Sequence, residues 1–135
     1  MRLVRSKRLY LLIIMERKDI YQTQRAKDFI AKYAQYWDVP LMSNEQLQDL
    51  LPRAQNGDAE AEDTVVRSMM RFVVSVAKQY VDKGLSDDEL VEAGKKGLVI
   101  AIPKYDRSHG FRFISYAVWF VRNSILQAIE DKSKS

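Results

Sequence analysis

The 135-residue sequence contains no cysteine, which excludes a disulfide framework and a thiolate metal centre. Its single histidine, His109, cannot form a metal cluster alone and sits in a polar turn, where a solvated role outweighs a chemical one. Three prolines and five glycines are too few for a low-complexity linker. None of those glycines builds a phosphate-cradling loop, and no nucleophile elbow or zinc spacing occurs. The apolar run at residues 9–15 has seven members, against about 20 for a membrane-spanning helix. No small-residue cleavage site follows it. No useful stretch alternates with the period of a strand, and no internal repeat is found. Nothing in this inventory argues for an enzyme, a metal, a cofactor or a membrane.

What is present is helical punctuation. Hydrophobic residues make up 47% of the chain, and its length suits one domain. Residues 16–37 are good helix formers, with Ile20, Phe29, Ile30, Tyr33, Ala34 and Trp37 at helical spacing. Pro40 closes that segment. Ser43 to Gln46 is a capping box opening a second helix with Leu47, Leu50 and Leu51 on its apolar face. Pro52 is expected to kink or end it. Gly57 and Asp58 stop one helix and start another, expected over 58–82, with Val65, Val66, Met69, Phe72, Val73, Val76, Ala77 and Tyr80 inward. Gly84 closes it.

Ser86 to Glu89 is a second capping box, with three acids where the helix dipole favours them. Capping outweighs metal binding as the reading of those acids. This helix is expected to reach Ile102, with Pro103 ending it. Gly94 and Gly97 lie inside it, each costing about 1 kcal/mol against alanine, so a close approach is expected on that face. The whole reads as all-α, about five helices.

Charge is unevenly spread. Residues 1–14 form a basic and apolar leader carrying four bases and no acid, and Met15 offers an alternative start. Residues 41–93 have a net charge of −6 and residues 94–135 a net charge of +5. The basic third is also aromatic: residues 105–127 hold six of the fourteen aromatic side chains. From Ile114 on, a helix is expected, with Ile114, Val118, Val121, Ile125, Ala128 and Ile129 facing the core. Tyr116, Trp119, Phe120, Asn123 and Gln127 fall in the opposite sector, with Arg112 and Arg122 nearby. Two readings stand at this point. Flat rings beside cations suit stacked bases and their phosphates; equally, the rings can pack on a neighbouring helix.

The strings RFVVSVAKQYVDKGLSDDELVEAGKKGL and KYDRSHGFRFISYAVWFVRNSILQAI resemble the second region of bacterial sigma-70-type RNA polymerase sigma factors, most nearly the primary-type factors of the Bacteroides group. VPLMSNEQLQDLLPRAQNGDAEA resembles the segment preceding that region. The resemblance covers about residues 29–134. It divides the chain into the leader at 1–14, N-terminal helices at 15–62 and a region 2-like module at 63–135. The family's third and fourth regions, with the helix-turn-helix that reads the −35 element, are not in this sequence.

The resemblance implies a cytoplasmic transcription initiation factor that binds core RNA polymerase and opens promoter DNA. Contacts to a coiled coil of the polymerase β′ subunit would fall on Glu89, Leu90, Glu92, Gly94, Lys95, Leu98 and Val99. Capture of the non-template strand of the −10 element would fall on Phe111, Phe113, Ser115, Tyr116 and Trp119, with Tyr105 in the same string and Trp119 and Phe120 as the wedge at the fork. Upstream −10 recognition would fall on Asn123, Leu126 and Gln127, and phosphate contacts on Arg107, Arg112 and Arg122. The docking helix departs from the family pattern: Ala93 replaces a carboxylate, and Lys95 and Lys96 replace uncharged residues. Those changes support an alternative, a sigma-like decoy or regulator that binds polymerase or an anti-sigma protein without opening DNA.

Overall fold

The computed structural model describes residues 23–135. The leader, Met15, Ile20 and the start of the expected first helix lie outside the described residues. Among the described residues there are five α-helices and no strand. Helix α1 spans Gln24–Lys32, α2 Asn44–Gln55, α3 Ala59–Ala77, α4 Asp87–Lys104 and α5 Phe113–Ser133. Single 3₁₀ turns occupy Ala34–Asp38, Lys78–Tyr80 and Arg107–His109.

Four of the five helix starts are written in polar side chains, α5 lacking a side-chain cap. Ser43 and Gln46 form a reciprocal capping box on α2, and Ser86 and Glu89 form another on α4. Asp58 caps α3 by accepting from the Ala61 amide at 3.1 Å. Thr23 caps α1 in the same way.

The helix ends depart from expectation. The first segment turns at Tyr33, and residues 34–38 continue as a 3₁₀ turn. The cause is tertiary. Tyr33 donates to Asp88 in the first turn of α4, and Arg71 lies 5.5 Å over the Trp37 ring. Helix α3 stops at Ala77, short of 82, because the chain turns at Asp82, which has a left-handed φ of 61°. Arg25 reaches across from α1 to bind that carboxylate at 3.1 Å. Pro52 and Pro103 both lie inside helices and end neither at once. Each is exposed and within the last turns, where few hydrogen bonds are lost.

Helix α3 is the central element, packed by α2, α4 and α5. All its expected inward residues are buried except half-buried Phe72, and Ala61, Met70 and Val74 join them. The most extensive pairing is α4 on α5. It explains Gly97: a Cβ there would lie 2.3 Å from the Phe120 carbonyl oxygen on the α5 backbone. Gly94 answers to α3 instead, since a Cβ there would lie 2.7 Å from a Val73 methyl.

The notch at Gly97 also rotates α5 from its expected setting. Phe113, Ala117, Phe120, Val121 and Ile125 are the buried apolar residues. Val121 and Ile125 were expected there, but Ile114 is exposed, and Val118, Ala128 and Ile129 are only half-buried. Phe120 and Asn123, expected to face outward, are buried.

Candidate nucleic-acid interface

The interface is built at the join between α4 and α5, where the chain must reverse direction. Asp106 starts the reversal, its carboxylate accepting from the Ser108 amide at 2.9 Å. Hydrogen bonds from Ser108 hold this carboxyl below its ordinary value, with the nearby His109 adding to the effect. Gly110 completes the turn at φ 78°, a left-handed setting that glycine adopts without steric cost.

Under the turn lies a floor of rings. Tyr105, buried at the end of α4, meets Phe113 edge-on at 5.2 Å and Tyr116 at 5.6 Å. Tyr116 in turn meets Phe120 at 4.9 Å. The hydroxyls fix this floor to the backbone. Tyr105 donates to the Phe111 carbonyl, and Tyr116 donates to the Lys104 carbonyl at 3.2 Å. The Lys104 ammonium sits 5.7 Å over the Phe120 ring. Burial pushes the Tyr116 hydroxyl above its usual value, so it remains a neutral donor.

Above the floor, Phe111 is 61% exposed, with Arg107, Arg112, Ile114 and Ser115 also exposed. Tyr116 and Trp119 are half-buried and adjacent on the helix surface. An open cleft of about 440 Å³ lies beside the turn, lined by Arg107, Phe111 and Arg112 and, from α2, by Asn44 and Gln48. A second cleft of about 310 Å³ continues it, with Gln48, Gln55, Tyr105 and Arg107 among its walls. The α2 wall was not foreseen from sequence. Its only signal was the position of a polar helix ahead of the aromatic string, which says nothing about proximity.

The structure sorts the expected site residues into surface and support. Tyr105, Phe113 and Phe120 are buried beneath the exposed rings. Arg122, expected to meet phosphate, is buried and donates to the Tyr80 hydroxyl at 2.8 Å. Asn123 is buried and donates to the Trp119 carbonyl at 2.6 Å. Both are placed inward by the rotation of α5. Leu126 is exposed, and half-buried Gln127 donates to Asp131 at 2.9 Å.

The residues of α4 expected to meet a partner divide likewise. Leu90, Gly94 and Leu98 are buried against the core, so they cannot present a surface. Glu89, Glu92, Lys95 and Lys96 are exposed and Val99 is half-buried. Lys132 binds Glu89 at 2.7 Å. That ammonium, then the Ser86 hydrogen bonds, hold the Glu89 carboxyl down to about 2. The other acids of the first turn anchor α1: Asp87 receives Arg25 and Lys32, each at 2.6 Å, and both bonds depress its pKa. Among the described residues no cluster of His, Asp or Glu could hold a metal ion, and no helix is long and apolar enough to cross a membrane.

Residues 65–135 match the family described as sigma-70 region 2. The chain is also similar to proteins named RNA polymerase sigma factor SigA. The match to that of Bacillus sp is 39% identical over 72% of this chain and 26% of the relative. For Clostridium acetobutylicum the figures are 40% over 72% and 26%. For Synechocystis sp they are 42% over 58% and 18%. The chain thus spans about a quarter or less of the length of these relatives.

Proposed function

We propose, since the chain belongs to the sigma-70 region 2 family, that it acts in transcription initiation as the module that captures the non-template strand of the −10 element. The observation that carries this is exposed Phe111, which lines with Arg107 and Arg112 the cleft that Asn44 and Gln48 of α2 wall. Half-exposed Tyr116 and Trp119 extend the stacking surface along α5. An unpaired base lies against a ring, and the guanidinium groups hold the phosphates on either side. Phe113, Phe120, Arg122 and Asn123 serve from below by fixing the helix that carries the rings.

The energetics assign the module a limited share of the work. Extruding a base costs a few kcal/mol. Stacking returns roughly 1–3 kcal/mol per base. The two terms about cancel for one or two rings, so net opening draws on contacts to core polymerase. Those contacts fall on exposed Glu89, Glu92, Lys95 and half-exposed Val99, in the cytoplasm where polymerase works.

The test is a fluorescence anisotropy titration of the full chain with a −10 non-template strand and a scrambled strand. The −10 strand binds more tightly, with a steep salt dependence. Trp119→Ala lowers its affinity roughly tenfold. Equal affinity for both strands, unchanged in Trp119→Ala, refutes the proposal.

A second reading rests on Lys95 and Lys96, exposed on α4, beside Ala93, which is buried. A basic partner surface meets lysines there, which favours a regulator that binds an anti-sigma protein or polymerase without opening DNA. Transcription from a −10-type promoter that depends on this chain removes that reading.

A further inference from the structure

The geometry points to Gln55 as the positioning residue of the nucleic-acid loop. Gln55 is the last residue of α2, far in sequence from the loop it touches. Its side-chain amide nitrogen donates to two backbone carbonyls at once, that of Ile102 at 2.9 Å and that of Tyr105 at 2.7 Å. Both carbonyls lie where α4 ends, and helix ends leave such groups without intrahelical partners. The competing local bond is long: the Tyr105 amide reaches the Ile102 carbonyl at 3.4 Å. One amide from another helix therefore closes α4 and orients the residue that follows it.

The effect passes outward through Tyr105. Its hydroxyl donates to the Phe111 carbonyl, and its ring meets Phe113 and Tyr116. Fixing the Tyr105 backbone thus fixes the two ends of the turn between which Arg107 and Phe111 stand. Gln55 is itself exposed and contributes nothing to the hydrophobic core. Its side chain also lines the cleft shared with Gln48 and Arg107. Both amide hydrogens are used, so a side chain of similar length without donors cannot replace it. The loop then samples open settings, and apparent affinity for a strand falls with the fraction of chains correctly set.

This inference rests on the strand-capture reading, and the test separates the two. The full 135-residue chain is compared with Gln55→Met, which keeps length and charge but removes both donors, and with Gln55→Lys, which restores a donor. Gln55→Met weakens the −10 strand about fivefold. It also speeds amide hydrogen exchange at residues 105–113, while exchange within α3 and the thermal midpoint stay near parental. Gln55→Lys returns loop exchange toward the parental rate. A parental chain that discriminates between strands, with affinity and loop exchange unchanged in Gln55→Met, overturns the assignment of Gln55 alone. Equal binding of both strands by the parental chain removes the strand-capture reading and the Gln55 assignment with it.

Discussion

Adding one methyl group at Gly97 tests whether the crossing of α4 on α5 is as close as described. The new Cβ would stand 2.3 Å from the Phe120 carbonyl oxygen, 2.7 Å from its carbonyl carbon and 2.8 Å from the Val121 Cα. All three are backbone atoms, so no rotamer change relieves the clash. Ordinary contact begins near 3.4 Å, so α5 must recede by about 1 Å. A gap of that size forfeits about a quarter to a half of each dispersion contact it opens. Overpacking usually costs about 1–3 kcal/mol where side chains can adjust, and here they cannot. Helix propensity returns about 1 kcal/mol. Taking the upper end of the overpacking range, the expected net loss is about 2 kcal/mol, a large share of the stability of a small domain. Gly94→Ala is the internal control. Its Cβ meets side-chain methyls only, Val73 at 2.7 Å and Val121 and Ile125 at 3.4 and 3.5 Å. It should be destabilised less than Gly97→Ala, because its nearest neighbour is a side-chain methyl and not backbone. Urea unfolding followed by circular dichroism, with slopes matching the parent, gives both values. A Gly97→Ala protein as stable as the parent, or less damaged than Gly94→Ala, would refute the reasoning.

Two further predictions concern the N-terminal half of α4. The Glu89 pKa is lowered from 4.5 to about 2, first by Lys132, so its contribution to stability is full above pH 4.5 and lost as pH falls toward 2. Lys132→Met should flatten the thermal midpoint against pH across that window, and an unchanged profile would count against the ion pair. Replacing Lys95 by asparagine together with Lys96→Leu removes the two exposed lysines by which α4 departs from the family pattern, while leaving buried Ala93 in place. Capture of core polymerase in a pull-down should rise, most at low salt; no change would place the polymerase contact elsewhere.

Much of the fold was legible because it is local. Both capping boxes, the Asp58 cap and the inward face of α3 follow from side chains and spacings within single helices. Even the α4–α5 contact left a mark, since two costly glycines at helical spacing announce that something comes close. The aromatic string also left a local mark: Phe111 stays exposed as an aromatic on a basic segment.

What the sequence could not decide is rotation and proximity. Helix α5 is apolar on two sides, so its periodicity allowed more than one setting, and the notch at Gly97 selected the one that buries Phe120, Arg122 and Asn123. Tyr33 leaves the first helix where it meets Asp88, 55 residues away in the chain, a contact about which helix propensity is silent. Asn44, Gln48 and Gln55 reach the turn between α4 and α5 through space, Gln55 across 50 residues of chain. Local chemistry sets which helices form and where they start. Long-range packing, with no local signature, sets which of their faces remain for a partner.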